Sequence, residues 1–294
     1  MTGESDGVAA RIDRLADELA ADGALTEPYW RDALHAVPRH LFVPDVAWAQ
    51  DAAVDRRADP GRWLDTVYSD VPLVTQLDDG RTDVRSGEGL YTSSCSQPGA
   101  VIDYLERLGT QPGDRVLEIG TGTGWTAALL SWRAGPGNVT SIEIDPEAAA
   151  QAAANLKAAG FAPRLITGDG EPGWPDGALY DRVHVTCAVA RIPYDWVEQC
   201  RPGGVIVTPF QPPYGTEGML ARLHVLPGGT AIGDFPAGAA YMMLRAQRPP
   251  HLGAHAWAEH DPALRPGRPR GSIRGCSPSP ALARCWRCRY WHLA

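Results

Sequence analysis

The stretch Asp114-Arg115-Val116-Leu117-Glu118-Ile119-Gly120-Thr121-Gly122-Thr123-Gly124-Trp125 decides how the chain is read. Residues 115–119 form a short, mostly apolar run of the kind found in a buried parallel strand. Three glycines on alternate positions interrupt it before an Ala/Leu-rich helix begins. A strand, a tight loop and a helix in that order make a ligand cradle. Glycine permits positive φ and lets a ligand approach the backbone, and the N–H groups at the helix start are donors without intrahelical partners. Spacing alone leaves two ligand classes open. Gly122-Thr123-Gly124-Trp125-Thr126-Ala127 satisfies the looser dinucleotide fingerprint G-x-G-x-x-G/A. Glu118, two places before the first glycine, extends the pattern to E-x-G-x-G-x-G.

That longer pattern resembles motif I of the class I S-adenosylmethionine (SAM) methyltransferases, whose loop cradles the methionine moiety rather than a pyrophosphate. The resemblance implies Glu118, Gly120, Thr121, Gly122 and Gly124 as cofactor residues. The next strand, Asn138 to Asp145, ends in Asp145-Pro146, an N-cap followed by proline at the first helical position. Glu143 lies about twenty residues beyond the glycine loop, at the carboxyl end of this strand, where a ligand ribose sits in a Rossmann-like sheet. A carboxylate there accepts hydrogen bonds from both ribose hydroxyls.

With 294 residues the chain has room for one large domain with appendages or for two small ones, and an apolar fraction of 44% suits a packed core. No run of eighteen apolar residues occurs, and the N-terminus lacks the basic and apolar regions of a leader, so a soluble, cytoplasmic protein is expected. A net charge of −8 disfavours general nucleic-acid binding. The charge is uneven. From Arg245 onward nine arginines oppose Glu259 and Asp261, which leaves the preceding body at −15. The six cysteines read as free thiols in a chain of this kind.

Taken in order, apolar positions at Ile12, Leu15, Ala16 and Leu19 predict a first helix ending near Ala21, and a second is expected from Glu27 to Ala36. They lead into Val37-Pro38-Arg39-His40-Leu41-Phe42-Val43-Pro44. Further on come Tyr68-Ser-Asp-Val-Pro-Leu73, Ser96-Gln97-Pro98, Gly168-Asp169-Gly170, Ala188-Val-Ala-Arg-Ile-Pro193 and Arg201-Pro-Gly-Gly204. In this order the motifs resemble the protein-L-isoaspartate (D-aspartate) O-methyltransferases over roughly residues 37–208. In that family the serine matching Ser96 lies beside the reacting carboxylate and the aspartate matching Asp169 reaches the adenine amino group. Ser96 is thereby expected to be the catalytic residue, and Asp169 and Gly170 join the cofactor set. Ser96 and Gln97 also sit where a helix cap would, before the apolar pattern Val101, Ile102, Leu105, Leu108. Two departures stand out: Cys95 replaces the usual isoleucine, and about twenty extra residues near 74–95 are expected as a surface loop at the substrate mouth.

Beyond Asp169 the sequence predicts a strand over 181–187, on whose face His184 sits rather than acting as a base. A short helix at 196–200 and a fifth strand at 201–208 follow. Two edge strands, 218–226 and 238–245, are expected to be joined through Pro227-Gly228-Gly229. The expected fold is α/β, a class I SAM-dependent methyltransferase (Rossmann-like) fold with a mostly parallel seven-stranded sheet, an antiparallel edge pair and an N-terminal helical cap. The chain then divides into an N-terminal helical and substrate-loop region (1–95), a methyltransferase domain (96–248) and an irregular basic tail (249–294). Cys276, Cys285, Cys288 and His292 of that tail have a spacing that can bind zinc. Its Arg/Pro/Gly/Ser-rich composition instead resembles a translated alternate frame of GC-rich DNA, and no metal is expected.

The resemblance implies methyl transfer from SAM to an isoaspartyl or aspartyl carboxylate of a peptide or protein, giving a methyl ester that can close to a succinimide. The protein is expected to act as a monomer, without nucleic-acid or membrane partners. Three other readings stay open: a tailoring enzyme for one ribosomal precursor peptide, a non-catalytic SAM-binding protein, and an NAD-dependent oxidoreductase. The Tyr241-Met-Met-Leu-Arg245 segment resembles the tailoring branch.

Overall fold

The structure is a computed structural model that describes residues 2–212 and 218–248. Helix α1 (Thr2–Ala21) buries Ile12, Leu15, Ala16 and Leu19, the stripe that a 3.6-residue period aligns. Helix α2 (Pro28–Ala36) lays Trp30, Ala33 and Leu34 beside it. The following 3-10 turn, Arg39–Leu41, carries a charged side chain into the interior: Arg39 is only 1% exposed. Its guanidinium donates to the carbonyls of Val67 (2.7 Å), Val71 (3.0 Å), Cys95 (3.0 Å) and Ser96 (2.8 Å), with Ser69 at 3.4 Å. It also lies 5.3 Å over the ring of Trp125, whose indole N–H donates to the Val37 carbonyl at 3.1 Å. The octapeptide at 37–44 is thus a clamp joining the N-terminal helices, the segment before Ser96 and the helix after the glycine loop.

Strands β1 (Val46–Ala49) and β2 (Ala52–Asp55), helix α3 (Pro60–Val67), and strands β3 (Leu73–Leu77) and β4 (Tyr91–Cys95) come next. The four strands form an antiparallel sheet in the order β2-β1-β3-β4. This corrects the expectation of a surface loop at 74–95. Leu73, Val74, Leu77 and Cys95 are buried, and Asp78 pins the connection by accepting from the Leu90 amide (2.9 Å) and the Thr82 hydroxyl (2.6 Å). The polar run Tyr91-Thr-Ser-Ser concealed the second strand, because its pairing partner lies across the hairpin and not in the local pattern.

Helix α4 (Pro98–Leu108) precedes the main sheet, built from β5 (Val116–Ile119), α5 (Trp125–Ala134), β6 (Val139–Glu143), α6 (Pro146–Ala158), β7 (Arg164–Thr167), β8 (Tyr180–Val185), α7 (Tyr194–Glu198), β9 (Cys200–Phe210), β10 (Met219–Val225) and β11 (Ala231–Gly238). The order is β11-β10-β9-β8-β5-β6-β7, with β10 antiparallel to both neighbours and the other pairs parallel. The chain runs outward from β5 through β6 to β7 and then returns to β5's other side as β8. Ligands of such sheets bind at that reversal, outside the carboxyl ends of the strands. The expected seven-stranded architecture is the one observed, with one strand displaced: the last is at Ala231–Gly238 and not 238–245. The Leu226 amide closes onto the Thr230 carbonyl at 2.8 Å, so pairing resumes at once with Val225 opposite Ala231. Gly233, Asp234 and Pro236 disguise this strand, and an edge position tolerates them.

One hydrophobic cluster extends from Ile12, Trp30 and Trp63 through Leu105 and Leu130 to Val207, binding the N-terminal region to one face of the main sheet. A second, around Leu117, Ile119, Ile142, Val183 and Trp196, fills the other face. The tail from 249 onward, with its candidate zinc ligands, lies outside the described residues. Among the described residues no helix is long and apolar enough to cross a membrane.

Arg39→Met keeps most of the side chain's volume while leaving several buried carbonyls without a donor. Hydrogen bonds from a charged group contribute roughly 1.5–3 kcal/mol each, so urea unfolding is expected to show a loss above about 3 kcal/mol. A loss under about 1 kcal/mol would mean that the clamp is not holding these segments.

Candidate active site

The glycine loop, the end of β6, strand β4 with Ser96, and the segment after β11 enclose one cavity of about 1110 Å³. Gly120 (φ 93°) and Gly122 (φ 55°) line it in the left-handed region that side chains avoid. A Cβ on Gly122 would lie 3.5 Å from the Ser94 carbonyl oxygen, so β4 and the loop face each other at close range. Thr186 tightens the first turn, its hydroxyl donating to the carbonyls of Gly120 and Ile119.

Glu143 occupies the carboxyl end of β6 as expected. One carboxylate oxygen accepts from the Gly122 amide at 2.8 Å and the other from the Asp145 amide at 3.0 Å. Each oxygen keeps a further lone pair for a ligand hydroxyl. Thr121 also lines the cavity, but its hydroxyl points into the protein, 2.6 Å from the Ser141 hydroxyl. Ser141 in turn donates to Glu118 at 2.5 Å.

Glu118 therefore needs correcting as a ligand contact. It is fully buried beneath the loop and does not line the cavity. Desolvation pushes its pKa up to about 8; the Ser141 hydrogen bond opposes this and the charge of Glu143 adds to it. At neutral pH it is an uncharged acid that braces the loop through Ser141 and Thr121. Gly124 is likewise absent from the wall. It starts α5 at φ 91°, packed against Leu156. Asp169 is exposed and forms a turn, accepting from the Glu171 amide at 2.9 Å, whereas its neighbour Gly170 does line the cavity. A Cβ on Gly170 would come within 2.5 Å of Ile119, so only glycine fits this approach.

Ser96 lies in the opposite wall, its carbonyl held by Arg39. Cys95 is buried behind it, and Cys187, whose pKa burial raises to about 12, is a neutral thiol in the wall. His184 is buried in β8, its pKa depressed to about 4 by desolvation, and remains a neutral residue of the sheet.

Several wall residues escaped the motif reading. The segment after β11 crosses the cavity and bonds to Ala188 through the Met242 carbonyl (2.8 Å) and the Leu244 amide (2.7 Å). Arg245 then bridges Asp79 (3.0 Å) and Asp145 (3.2 Å), and Arg248 reaches Asp79 at 2.8 Å. Asp145 caps α6 as expected and also accepts from Gln76 at 3.2 Å. Thus both arginines of the wall are occupied by carboxylates. The end that holds Ser96 presents hydroxyls rather than cations, and no group of three or more His, Cys, Asp or Glu among the described residues is arranged to hold a metal. Such a site can orient a carboxylate that is already charged without neutralising it.

The family profile of Protein-L-isoaspartate(D-aspartate) O-methyltransferase (PCMT) matches residues 10–225. A "Protein-L-isoaspartate O-methyltransferase" from Hyperthermus butylicus is 34% identical over 223 residues, covering 72% of this chain and 78% of the relative. A solved protein-L-isoaspartate O-methyltransferase superposes with a TM-score of 0.65 at 26% identity, covering 79% of this chain and 65% of that one. A Plasmodium falciparum structure described as a protein-L-isoaspartate O-methyltransferase in complex with S-adenosyl-L-homocysteine gives a TM-score of 0.61 over 79% of this chain and 97% of that one. At 15% identity it bears on the fold alone.

Glu118 makes stability depend on pH with a definite sign. Its folded pKa of about 8 exceeds the unfolded value, about 4.3, so its contribution is fully present below the unfolded pKa and is lost as pH rises through the folded one. Glu118→Gln removes the titration. Its unfolding free energy relative to the wild type is expected to improve between pH 5 and 8, by up to about 1.4 kcal/mol per pH unit. Parallel urea-stability profiles for the two proteins would show that Glu118 is ionised when folded.

Proposed function

The chain belongs to the protein-L-isoaspartate (D-aspartate) O-methyltransferase family, and on that premise we propose that it transfers a methyl group from SAM to an isoaspartyl or aspartyl carboxylate of a peptide or protein. The observation that carries this reading is that the Ser96 segment and the Gly120–Gly122 loop line the same cavity, with Glu143 at the end of β6 bonded to the Gly122 amide. Had they lain on opposite faces of the sheet, no acceptor could meet the donor.

The cavity fits the cofactor. Gly120, Gly122 and Gly170 bring bare backbone to the cavity wall, and Glu143 has acceptor capacity for ribose hydroxyls. When bound, SAM supplies an electrophilic methyl group on a sulfonium sulfur. The protein's task is then alignment and exclusion of water. A carboxylate acceptor is ionised at pH 7 and needs no general base, which agrees with a neutral His184 buried in the sheet away from the cavity and a protonated Cys187 thiol in its wall. Ser96 would donate its hydroxyl hydrogen to one carboxylate oxygen and leave the other oxygen as the nucleophile. Holding the acceptor at near-attack distance removes the entropic part of the barrier in advance.

Labelled SAM and an isoaspartyl peptide are expected to give base-labile counts, as an ester requires. Ser96→Ala should lower transfer by at least about tenfold, the magnitude of one hydrogen bond to a charged group, with S-adenosylhomocysteine affinity changed by less than about twofold. Glu143→Ala should show the opposite split, weakening S-adenosylhomocysteine by about tenfold or more. Base-stable label, or loss of donor binding in Ser96→Ala, would overturn the assignment.

A further inference from the structure

Gln97 follows Ser96 in the cavity wall, and both line it together with Ala100 and Tyr104 of α4. It stands at the N-cap position of α4, yet its side chain makes no capping hydrogen bond. That task falls to Asp70, from the segment between α3 and β3, one of whose carboxylate oxygens accepts from the Gly99 amide at 2.6 Å. The other accepts from Gln97 Nε2 at 2.8 Å. A carboxylate has no hydrogen to give, so the NH2 group of Gln97 faces Asp70 and its carbonyl oxygen is turned away. That oxygen has no hydrogen-bond partner among the described residues and is not buried, so it opens on the cavity that the residue lines. The anchor is itself held. Arg39 grips the Ser69 and Val71 carbonyls on either side of Asp70 and the Cys95 and Ser96 carbonyls just before Gln97. The Ser96 hydroxyl and the Gln97 carbonyl are thus a donor and an acceptor on consecutive residues of one braced stretch of wall.

We infer that Gln97 determines acceptor specificity: its carbonyl oxygen accepts the N–H borne by the same carbon as the acceptor carboxylate, while Ser96 holds that carboxylate. This inference rests on the functional reading above and narrows it from carboxylates in general to one linkage. In an isoaspartyl residue the main chain runs through the side-chain carbonyl, so the free carboxylate and the amide nitrogen share one carbon. In an ordinary aspartyl residue a methylene separates the carboxylate from that carbon. A donor and an acceptor at fixed spacing match only one of these arrangements. The Gln97 amide is tied to Asp70 and the Ser96 main chain to Arg39, which leaves the pair little freedom to follow the longer one. The charge of Asp70 also polarises the amide that donates to it, making the carbonyl oxygen a stronger acceptor. A site built to hydrogen-bond a substrate N–H rejects an analogue that lacks or misplaces it, because its own polar group is then left unpaired.

The test compares two peptides on the full chain: an isoaspartyl peptide, and its analogue in which the N–H in question is replaced by an ester oxygen. The exchange removes one donor and hardly alters the shape. Affinity is read by calorimetry in saturating S-adenosylhomocysteine, and kcat/KM by labelled methyl transfer. Wild type is expected to favour the amide peptide by about three- to tenfold in both, the magnitude of a neutral hydrogen bond. Gln97→Met keeps the length of the side chain and removes the acceptor. It should bring the preference to within about twofold of unity and leave S-adenosylhomocysteine affinity and thermal unfolding unchanged. Absence of a preference in wild type overturns the proposal without any variant, and so does a preference that Gln97→Met retains. A Gln97→Met variant that no longer binds S-adenosylhomocysteine marks the residue as structural and overturns it as well. If the binding preference is present in wild type and lost in the variant, yet no methyl group is transferred, the functional reading fails and the Gln97 assignment stands. If both peptides are methylated equally well, the functional reading stands and the assignment falls. If wild type neither binds nor methylates either peptide, both fall.

Discussion

The buried guanidinium of Arg39 is the contact on which the geometry of the site depends. A charge taken into the interior is tolerated only when its donors are satisfied, and here the acceptors are main-chain carbonyls of two separate segments, 67–71 and 95–96. Each of those carbonyls would itself be costly if left unpaired. The arrangement is therefore reciprocal: the segments cannot separate without stranding a cation, and the cation cannot leave without stranding carbonyls. Because one of the carbonyls belongs to Ser96, the clamp sets the height of that residue above the sheet. Trp125, under the guanidinium, carries the same constraint to the first turn after the glycine loop.

A second constraint supports the other wall. Strand alternation puts Val116 and Glu118 on one face of β5 and Leu117 and Ile119 on the other. Glu118 is thus directed into the packed interior and not toward the crevice, although it stands only two residues before the loop. An uncharged acid linked through Ser141 to Thr121 gives the loop a rigid floor of hydrogen bonds. The roof is ionic. Arg245 and Arg248 clasp Asp79 of the β3–β4 connection and Asp145 at the start of α6, joining two parts of the chain that are distant in sequence. Glycine loop, serine wall and crossing segment are held by three unlike interactions.

The legibility of the chain followed the range of the interactions. Helices α1 and α4 were readable because their apolar stripes and terminal glycines are local. The N-cap role of Asp145 was readable for the same reason, since its amide partners are two and three residues away. Strand β4 was not, because Thr92, Ser93 and Ser94 have no apolar signature and take their conformation from pairing with β3. Asp169 carried a motif but faces solvent in a turn, whereas Gly170 beside it makes the close approach. Arg245 and Asp79, separated in sequence by more than half the chain, had no pattern to connect them.

By itself the sequence determined the α/β class, the glycine cradle, the acid at the end of β6 and the serine before α4, because each is encoded in a short run whose spacing maps directly onto backbone geometry. Only the tertiary structure decided that Glu118 supports the loop from beneath, that a second small sheet forms one wall, and that the segment after β11 lines the same cavity as Ser96. Those are questions of which side of a strand faces solvent and which remote segments become neighbours. They are settled by burial and pairing summed over the whole fold, and no local pattern of residues contains that sum.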